Sequence, residues 1–251
     1  MQNILITGAA GKIGNEVTSF LSNQKNYQLR LSDLNISALE GYKGIHEVIP
    51  LNVSDLNACQ EALKGIDIVI HLAGDPSPDA DFYQSLLENN IKGTYNIFRA
   101  SKDNSVSKVI FASSAQTIEN YPLDYQIHPF SPVRPKNMYG VSKCFGEAVA
   151  AYFAYTEGLQ SIAIRIGAYD DYKEGLDNLS ARDMSAYLSP RDFNDLLLQS
   201  LAATDLSPFS ILHGVSNNRF KRLNLEETKG LVGYSPKDDA FELNKIPLFD
   251  H

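Results

Sequence analysis

Tyr139 and Lys143 are the residues whose types and spacing most directly indicate chemistry. They stand four positions apart, which would place both side chains on one face of a helix. A phenol with a pKa near 10 is a poor base at neutral pH, but a nearby ammonium group favours the phenolate. The pair could therefore move a proton to or from a substrate hydroxyl. Ser114 follows an apolar run and adds a hydroxyl that could hold the reacting oxygen.

A glycine-rich segment, Thr7–Gly14, follows the first apolar run and opens the first amphipathic segment. Gly8 allows a tight turn, Gly11 lets the backbone approach a pyrophosphate, and Gly14 allows close helix–strand packing. The helix that begins there presents free N–H groups and a positive dipole to phosphates. The segment predicts a dinucleotide site whose contacts come from Gly8, Ala10, Gly11, Lys12, Ile13 and Gly14.

Asp33 lies 19 residues past Gly14, at the end of the second apolar run. This is close to the spacing of about 20 residues expected for the acid that binds a ribose 2′-hydroxyl. A carboxylate there repels a 2′-phosphate, so the sequence favours NAD over NADP. Lys12 is the one feature that could favour a phosphate, and NADP stays the less favoured alternative. Read alone, Asp33 could equally be an acid that caps a loop.

These residues need a scaffold, and short apolar runs alternate with longer amphipathic segments over the first two thirds of the chain. Such alternation predicts βαβ units and an α/β fold: a Rossmann-type doubly wound parallel sheet with helices on both faces. The predicted strands are Ile4–Ile6, Gln28–Leu31, His46–Pro50, Ile68–Leu72, Lys108–Ala112 and Ser161–Ile166. The predicted helices are Gly14–Gln24, Leu56–Lys64, Phe82–Lys102 and Tyr139–Glu157.

The pattern loosens after Gly167, where residues 170–180 resemble a loop. Ser189 and Pro190 are typical of the N-cap and first position of a helix. We therefore predict an NAD-binding domain with the catalytic residues at 1–167 and a small C-terminal substrate-binding lobe at 168–251, within one compact domain. The elements predicted in the lobe are a helix at Phe193–Ala203, a strand at Phe209–His213 and a short helix at Asn224–Leu231.

Composition limits the function further. The chain has 251 residues, a formal charge of −8 and no apolar run long enough to span a membrane. An acidic chain is a poor match for binding nucleic acid without sequence specificity. The two cysteines, Cys59 and Cys144, are expected to be reduced thiols. With no N-terminal signal pattern, we expect a cytoplasmic protein.

Taken together, the motifs are similar to those of the short-chain dehydrogenase/reductase superfamily, in its extended, epimerase-like branch. The resemblance covers essentially residues 1–167. It implies Ser114, Tyr139 and Lys143 as the catalytic triad. The segments that carry it are Thr7–Gly14, Asp33, His71–Gly74, Asn90–Thr94, Phe111–Ser114, Tyr139–Lys143 and Arg165–Gly167. Further cofactor contacts are expected from Leu34, Asn52, Val53, Leu72, Ala73, Gly74, Asn90 and Ile166.

Within that branch the chain resembles the uronate dehydrogenases. The segments that carry this resemblance are Phe111–Ser114 with Thr117, Ile118 and Tyr121, Tyr139–Glu147, Arg165–Gly167 and Arg182–Ser185. A short C-terminal lobe also fits. The resemblance implies that Arg182 clamps a substrate carboxylate, a role suited to a guanidinium fork.

The chain departs from that family at several positions. Asn52 replaces the usual Asp at the adenine, although its side-chain oxygen can still accept a hydrogen bond. At the substrate the chain has Ala115 for Asn, Gln116 for His, Pro76 for Ser and Ala168 for Ser. Losing such hydrogen bonds can change a substrate. The predicted substrate residues are Asp75, Ser77, Ser114, Ala115, Gln116, Ala168 and Arg182.

We predict an NAD-dependent oxidoreductase that transfers hydride from a carbinol carbon of a sugar-acid-like substrate. Tyr139 takes the proton, Lys143 lowers the Tyr139 pKa, and Ser114 holds the oxygen. The expected partner is a carboxylated sugar, with no metal, nucleic acid or membrane. A homo-oligomer through the helices Phe82–Lys102 and Tyr139–Glu157 is implied by the resemblance. Two alternatives are a nucleotide-sugar epimerase or dehydratase with bound NAD, and an NAD(P)-sensing protein without turnover.

Overall fold

The computed structural model describes residues 1–171 and 179–246. Within them, seven parallel strands form one sheet in the order β3-β2-β1-β4-β5-β6-β9, which confirms the predicted doubly wound α/β fold. Its strands are β1 (Gln2–Thr7), β2 (Tyr27–Asp33), β3 (Glu47–Pro50), β4 (Ile68–His71), β5 (Lys108–Ser114), β6 (Gln160–Ile166) and β9 (Phe209–Gly214). Each strand predicted from the sequence is present, with small shifts at its ends.

The eight α-helices of the described residues are α1 (Lys12–Ser22), α2 (Leu56–Ala62), α3 (Gly93–Asp103), α4 (Met138–Glu157), α5 (Ala181–Ala186), α6 (Pro190–Ala202), α7 (Glu226–Val232) and α8 (Ala240–Leu243). The sequence pattern predicted the wrong type of helix for one segment. The single helix expected over Phe82–Lys102 is a π-helical segment, Phe82–Lys92, that continues into α3. Segments of this kind are frequent at functional sites.

Six short elements of the described residues gave no sequence signal. They are two 3₁₀ helices at Ile36–Tyr42 and Ala115–Thr117, helices α5 and α8, and the strands β7 (Ala168–Tyr169) and β8 (Tyr187–Leu188), which form a second sheet. All are too short to show a hydrophobic period. The loop expected over residues 170–180 falls partly outside the described residues.

Two cores cover the faces of the sheet, because alternate strand residues point to opposite sides. Ile4 and Ile6 of β1 join one core, with side chains from α1 and α6. Leu5 joins the other, with side chains from α2, α3 and α4. The strands are buried on both faces, as expected of a parallel sheet between layers of helices.

The segment after Gly167 joins the same sheet. Strand β9 pairs with β6, with Leu212 beside Ile164. Ser189 caps α6 by accepting a hydrogen bond from the Asp192 amide at 3.1 Å, and Pro190 occupies the first helical turn, as the sequence predicted. Strand pairing and core packing both cross residue 167. The boundary between the NAD-binding domain and the C-terminal lobe therefore stays a prediction from the sequence pattern.

His213 on β9 gives the fold a predicted sensitivity to acid. Burial lowers its pKa from 6.5 to about 3, although Asn224, whose carbonyl lies 2.9 Å from Nδ1, raises it. Below pH 6.5 the His213 imidazole takes up a proton in the unfolded chain, whereas burial keeps it neutral in the folded chain. Folding stability is therefore lost as the pH falls through 6.5 toward 3, by about 2 kcal/mol from this group at pH 5.

The check is urea unfolding at pH 7 and pH 5. We expect the fall in the free energy of unfolding to be about 2 kcal/mol smaller in His213→Gln than in the unsubstituted protein. The exposed His128, replaced by Gln, serves as the control. An equal fall in His213→Gln and the unsubstituted protein would contradict the assignment.

Candidate active site

A cleft of about 940 Å³ lies at the carboxyl edge of the sheet. It opens at the ends of β1 and β4, between which the strand order reverses, and this is the switch point at which doubly wound sheets bind ligands. Most of the predicted cofactor residues line it: Gly8, Ala10, Gly11, Lys12, Ile13, Gly14, Asp33, Leu34, Asn52, Val53, Leu72, Ala73, Gly74, Tyr139, Lys143 and Ile166. Of the predicted substrate residues, Asp75, Ser114 and Gln116 line it as well.

Five predicted site residues do not line this cleft. Asn90 is buried behind it, where its side chain accepts from the Asp75 amide at 2.7 Å and donates to the Asp75 carbonyl at 3.0 Å. Asn90 therefore fixes the backbone of Asp75, which lines the cleft. Ser77 is exposed in the loop after β4, Ala115 is buried in the turn after β5, and Ala168 is half-buried in β7. Arg182 on α5 is engaged by carboxylates of the protein.

The cleft also contains residues that sequence reasoning did not assign to it. Most of them are adjacent in sequence to a motif residue at the end of a strand, so their closeness to a motif could have identified them as cleft residues. Tyr169 had no such signal because it reaches the cleft through the small sheet of β7 and β8. The unassigned residues are Thr7, Ser32, Asn35, Ser37, Ala38, Leu51, Pro76, Pro78, Asn89, Ala112, Ser113, Gly167 and Tyr169.

The glycine-rich loop is held tightly against the end of β4. Gly8 has φ +71°, and a Cβ there would lie 2.7 Å from the Ala73 amide nitrogen. The Thr7 hydroxyl accepts from that same amide at 3.3 Å. Only glycine fits both the conformation and the approach. The loop backbone is thereby placed at the floor of the cleft.

Helix α1 starts at this loop with Gly11 at its N-cap, and no side chain caps its first turn. Its first N–H groups therefore face the cleft with the positive end of the helix dipole. Asp33 lies at the same end, where its carboxylate accepts from the Ala10 amide at 3.0 Å and from the Asn35 amide at 3.3 Å. A glycine cradle, an uncapped helix start and a carboxylate suit the pyrophosphate and ribose of NAD.

Lys12, the possible phosphate ligand, is used elsewhere. Its Nζ lies 2.6 Å from the Asp170 carboxylate and 6.0 Å from the centre of the Tyr169 ring. This ion pair links the glycine-rich loop to the segment after β7 and leaves Asp33 as the charge at the ribose end. The arrangement is consistent with NAD.

The predicted catalytic side chains meet at the other end of the cleft. Burial raises the pKa of the Tyr139 phenol, and a hydrogen bond with Ser114 offsets only part of that rise. The net shift of the Tyr139 pKa is thus upward, opposite to the lowering expected from Lys143 in the sequence analysis. Lys143 is buried, and its Nζ donates to the Ala112 carbonyl at 2.8 Å and lies 5.6 Å from the centre of the Tyr139 ring. Burial lowers the pKa of Lys143 to about 8. A phenol, an ammonium and a hydroxyl thus surround one point of the cleft, as acid–base chemistry on an alcohol requires.

The start of helix α4 determines where Tyr139 lies. Asn137 caps the helix by accepting from the Gly140 amide at 2.7 Å, and its Nδ2 donates to Gln116 Oε1 at 3.0 Å. A Cβ on Gly140 would lie 2.4 Å from the Gln116 carbonyl oxygen. The close approach of helix and turn brings Tyr139 beside Ser114.

A buried ion pair connects helix α4 to the strands that lie beneath the catalytic end of the cleft. Arg165 on β6 makes two hydrogen bonds of 2.8 Å to the Glu147 carboxylate on α4. Ser113 on β5 donates to that carboxylate at 2.6 Å. Because both charged groups are almost completely buried, removing either would leave an uncompensated charge. The cluster ties α4 to the two strands whose ends carry Ser114 and Ile166.

Known proteins resemble this chain in sequence. The model of the NAD dependent epimerase/dehydratase family matches residues 4–169. L-arabinose 1-dehydrogenase (NAD(P)(+)) of Haloferax volcanii is 33% identical, over 96% of this chain and 98% of its own length. A uronate dehydrogenase of Pseudomonas putida is also 33% identical, over 94% of this chain and 84% of its own length.

Solved structures give the same result. The crystal structure of uronate dehydrogenase from Agrobacterium tumefaciens superposes with a TM-score of 0.86 at 30% identity, covering 100% of this chain and 91% of that one. No helix among the described residues is long and apolar enough to cross a membrane. From the family model and these relatives, we conclude that the chain belongs to the NAD-dependent epimerase/dehydratase family.

Proposed function

We propose that the protein is an NAD-dependent dehydrogenase that oxidises the C1 carbinol of a cyclic sugar or sugar acid to a lactone. One observation carries the proposal. Tyr139, Lys143 and Ser114 converge at one end of a cleft whose other end, at Asp33, suits a dinucleotide. A carbinol lying between these two ends would meet a base and a hydride acceptor together.

The chain's own residues supply the proton chemistry. Ser114 binds the reacting hydroxyl oxygen and hydrogen-bonds the Tyr139 phenol. Tyr139, as phenolate, takes the hydroxyl proton, and the Lys143 ammonium favours that phenolate by its charge. NAD bound in this cleft would supply the acceptor for the hydride of the carbinol carbon. Asp33 and the first turn of α1 hold the ribose and phosphates.

The names of the relatives support a sugar-type substrate. They include uronate dehydrogenases, an L-arabinose 1-dehydrogenase and an NAD-dependent glucose-6-phosphate dehydrogenase. A carboxylated sugar is the substrate that the sequence predicted. The names include both charged and uncharged sugars, and that of the L-arabinose enzyme places its reaction at C1.

A nucleotide-sugar epimerase remains the second candidate. A UDP-glucose 4-epimerase of Halalkalibacterium halodurans is 28% identical, but over only 64% of this chain and 49% of its own length. The full-length matches to dehydrogenases favour net oxidation instead. A sensor without turnover would have no use for the catalytic residues in the cleft.

The test is NADH absorbance with purified protein, NAD and a panel of aldoses and uronates. We expect NADH to form with at least one sugar and a lactone to be recovered as product. Chromatography of UDP-glucose and UDP-galactose mixtures serves as the parallel assay. Epimerisation without net NADH would favour the second candidate, and the absence of both activities despite NAD binding would favour a sensor.

We also propose that the protein forms a homo-oligomer through the π-helical segment, α3 and α4. These elements carry exposed aromatic side chains, among them Tyr83, Tyr152 and Tyr155, which are 79%, 51% and 65% exposed. Sedimentation equilibrium measures the oligomeric state directly. A monomer at micromolar concentration would contradict this proposal.

A further inference from the structure

Arg182, the predicted clamp for a substrate carboxylate, is already occupied by carboxylates of the protein. Its Nε lies 2.8 Å from Glu119 Oε1, and its Nη2 lies 2.5 Å from Glu119 Oε2. Its Nη1 donates to Asp183 Oδ1 at 2.9 Å. The fork of the guanidinium, the feature that makes arginine a carboxylate receptor, is thus directed at Glu119.

Glu119 is itself held in place. Its carboxylate is 11% exposed and also lies 3.9 Å from the Arg222 guanidinium. Arg222 donates to the backbone carbonyls of Glu119 and Tyr121 at 3.2 and 3.0 Å. Two arginines and two carboxylates, those of Glu119 and Asp183, therefore balance in charge. Arg182 could bind an incoming anion only by leaving Glu119 without its bidentate partner.

The described part of the cleft lining offers no replacement cation. Among its described lining residues, the positive charges are Lys12, which pairs with Asp170, and Lys143, which donates to the Ala112 carbonyl beside Tyr139. Asp75 adds a negative charge at the catalytic end and raises the pKa of Tyr139. A substrate carboxylate would therefore lose its water without gaining a free ionic partner.

We propose that the sugar site selects an uncharged aldose over the corresponding uronate, and that Glu119 determines this selectivity by holding Arg182 in an ion pair outside the cleft lining. The inference rests on the proposed function and narrows its substrate class. Glu119 acts through Arg182, as a positioning residue. Leaving the charge of a competing ligand desolvated and unpaired is a known route to specificity.

The experiment compares pairs that differ only at C6: D-galactose with D-galacturonate, and D-glucose with D-glucuronate. We measure kcat and KM with NAD for the unsubstituted protein, Glu119→Gln and Glu119→Asp. In the unsubstituted protein we expect kcat/KM for the aldose to exceed that for its uronate by at least about tenfold. Glu119→Gln keeps the shape but removes the charge, so the ratio should shift at least about tenfold toward the uronate, mainly through KM. Glu119→Asp keeps the charge and should retain most of the selectivity.

Glu47→Gln is the matched control. Glu47 pairs with the Arg30 Nε at 2.7 Å on the edge strand β3, at the opposite end of the strand from the cleft. Losing this arginine–glutamate pair should leave kcat, KM and the aldose-to-uronate ratio unchanged. A change in the ratio in this variant as well would show that the effect is general and would overturn the role of Glu119.

The outcomes separate this inference from the proposed function. A tenfold preference of the unsubstituted protein for the uronate overturns the inference and supports the dehydrogenase. An unshifted ratio in Glu119→Gln overturns the role of Glu119. If no sugar is oxidised, the proposed function fails, and thermal protection of the NADH-loaded protein by each sugar decides instead. Stronger protection by the uronate, or none by either sugar, then overturns the inference.

Discussion

Replacing Tyr139 by Phe is expected to lower kcat for sugar oxidation by about 10³-fold while leaving the affinity for NAD nearly unchanged. The substitution removes only the phenolic oxygen, which the geometry places beside Ser114. General acid–base groups contribute about 10² to 10⁴ to a rate. The ring remains and still packs near Lys143, so the cofactor end of the cleft is untouched.

The measurement combines steady-state kinetics with a titration of NADH fluorescence. Tyr121→Phe is the control, because the Tyr121 hydroxyl donates to the Pro132 carbonyl at 3.0 Å and lies outside the cleft lining. We expect Tyr121→Phe to keep its activity within about threefold, since a single hydrogen bond to a backbone carbonyl contributes little to catalysis. If Tyr139→Phe kept the kcat of the unsubstituted protein, Tyr139 would not be the group that transfers the proton.

Replacing Lys143 by Met is expected to abolish most activity and yet stabilise the fold. Burial lowers the pKa of Lys143 from 10.5 to about 8, so at pH 7 the folded chain holds an ammonium in an unfavourable environment. A shift of this size corresponds to about 3 kcal/mol. Leaving the Ala112 carbonyl without its donor offsets about 1 kcal/mol of the gain. We therefore expect the free energy of unfolding at pH 7 to rise by about 2 kcal/mol and kcat to fall by at least about 10².

The sign of the pH dependence distinguishes this explanation from improved packing. Because the folded-state pKa lies below the unfolded value, the destabilisation is fully present below pH 8 and disappears as the pH rises toward 10.5. Urea unfolding of the cofactor-free proteins should therefore show the advantage of Lys143→Met shrinking between pH 8 and 10. A variant that is less stable at pH 7, or an advantage that does not depend on pH, would contradict the assignment.

Much of the scaffold could be predicted from the sequence because its signals are local. Apolar runs such as Ile4–Ile6 indicated the buried strands, and the Ser189–Pro190 pair indicated the start of α6. The glycine-rich loop and Asp33 were found by their spacing, since a turn, a helix start and a strand end recur at fixed distances along a βαβ unit. The convergence of Tyr139, Lys143 and Ser114 followed from helix periodicity and from the carboxyl edge of the sheet.

The type of the helix at Phe82–Lys92 could not be predicted in this way. Its apolar residues fit an ordinary helical period, and nothing local distinguishes a wider turn. Two tertiary contacts lie at the end of this segment: Asn90 accepts a hydrogen bond from the backbone of Asp75, and a Cβ on Gly93 would lie 2.6 Å from the Val53 side chain. Packing of this kind overrides a weak local preference.

The sequence by itself determined the fold and indicated which residues line the two ends of the cleft. Only the tertiary structure decided the partners of the charged side chains, because an ion pair depends on where distant segments meet in space. Arg182 and Glu119 are 63 residues apart, and Lys12 and Asp170 are 158 apart. Nothing along the chain couples such positions. The cofactor chemistry could thus be inferred from motifs, whereas the charge that a substrate would meet depends on how those distant segments pack.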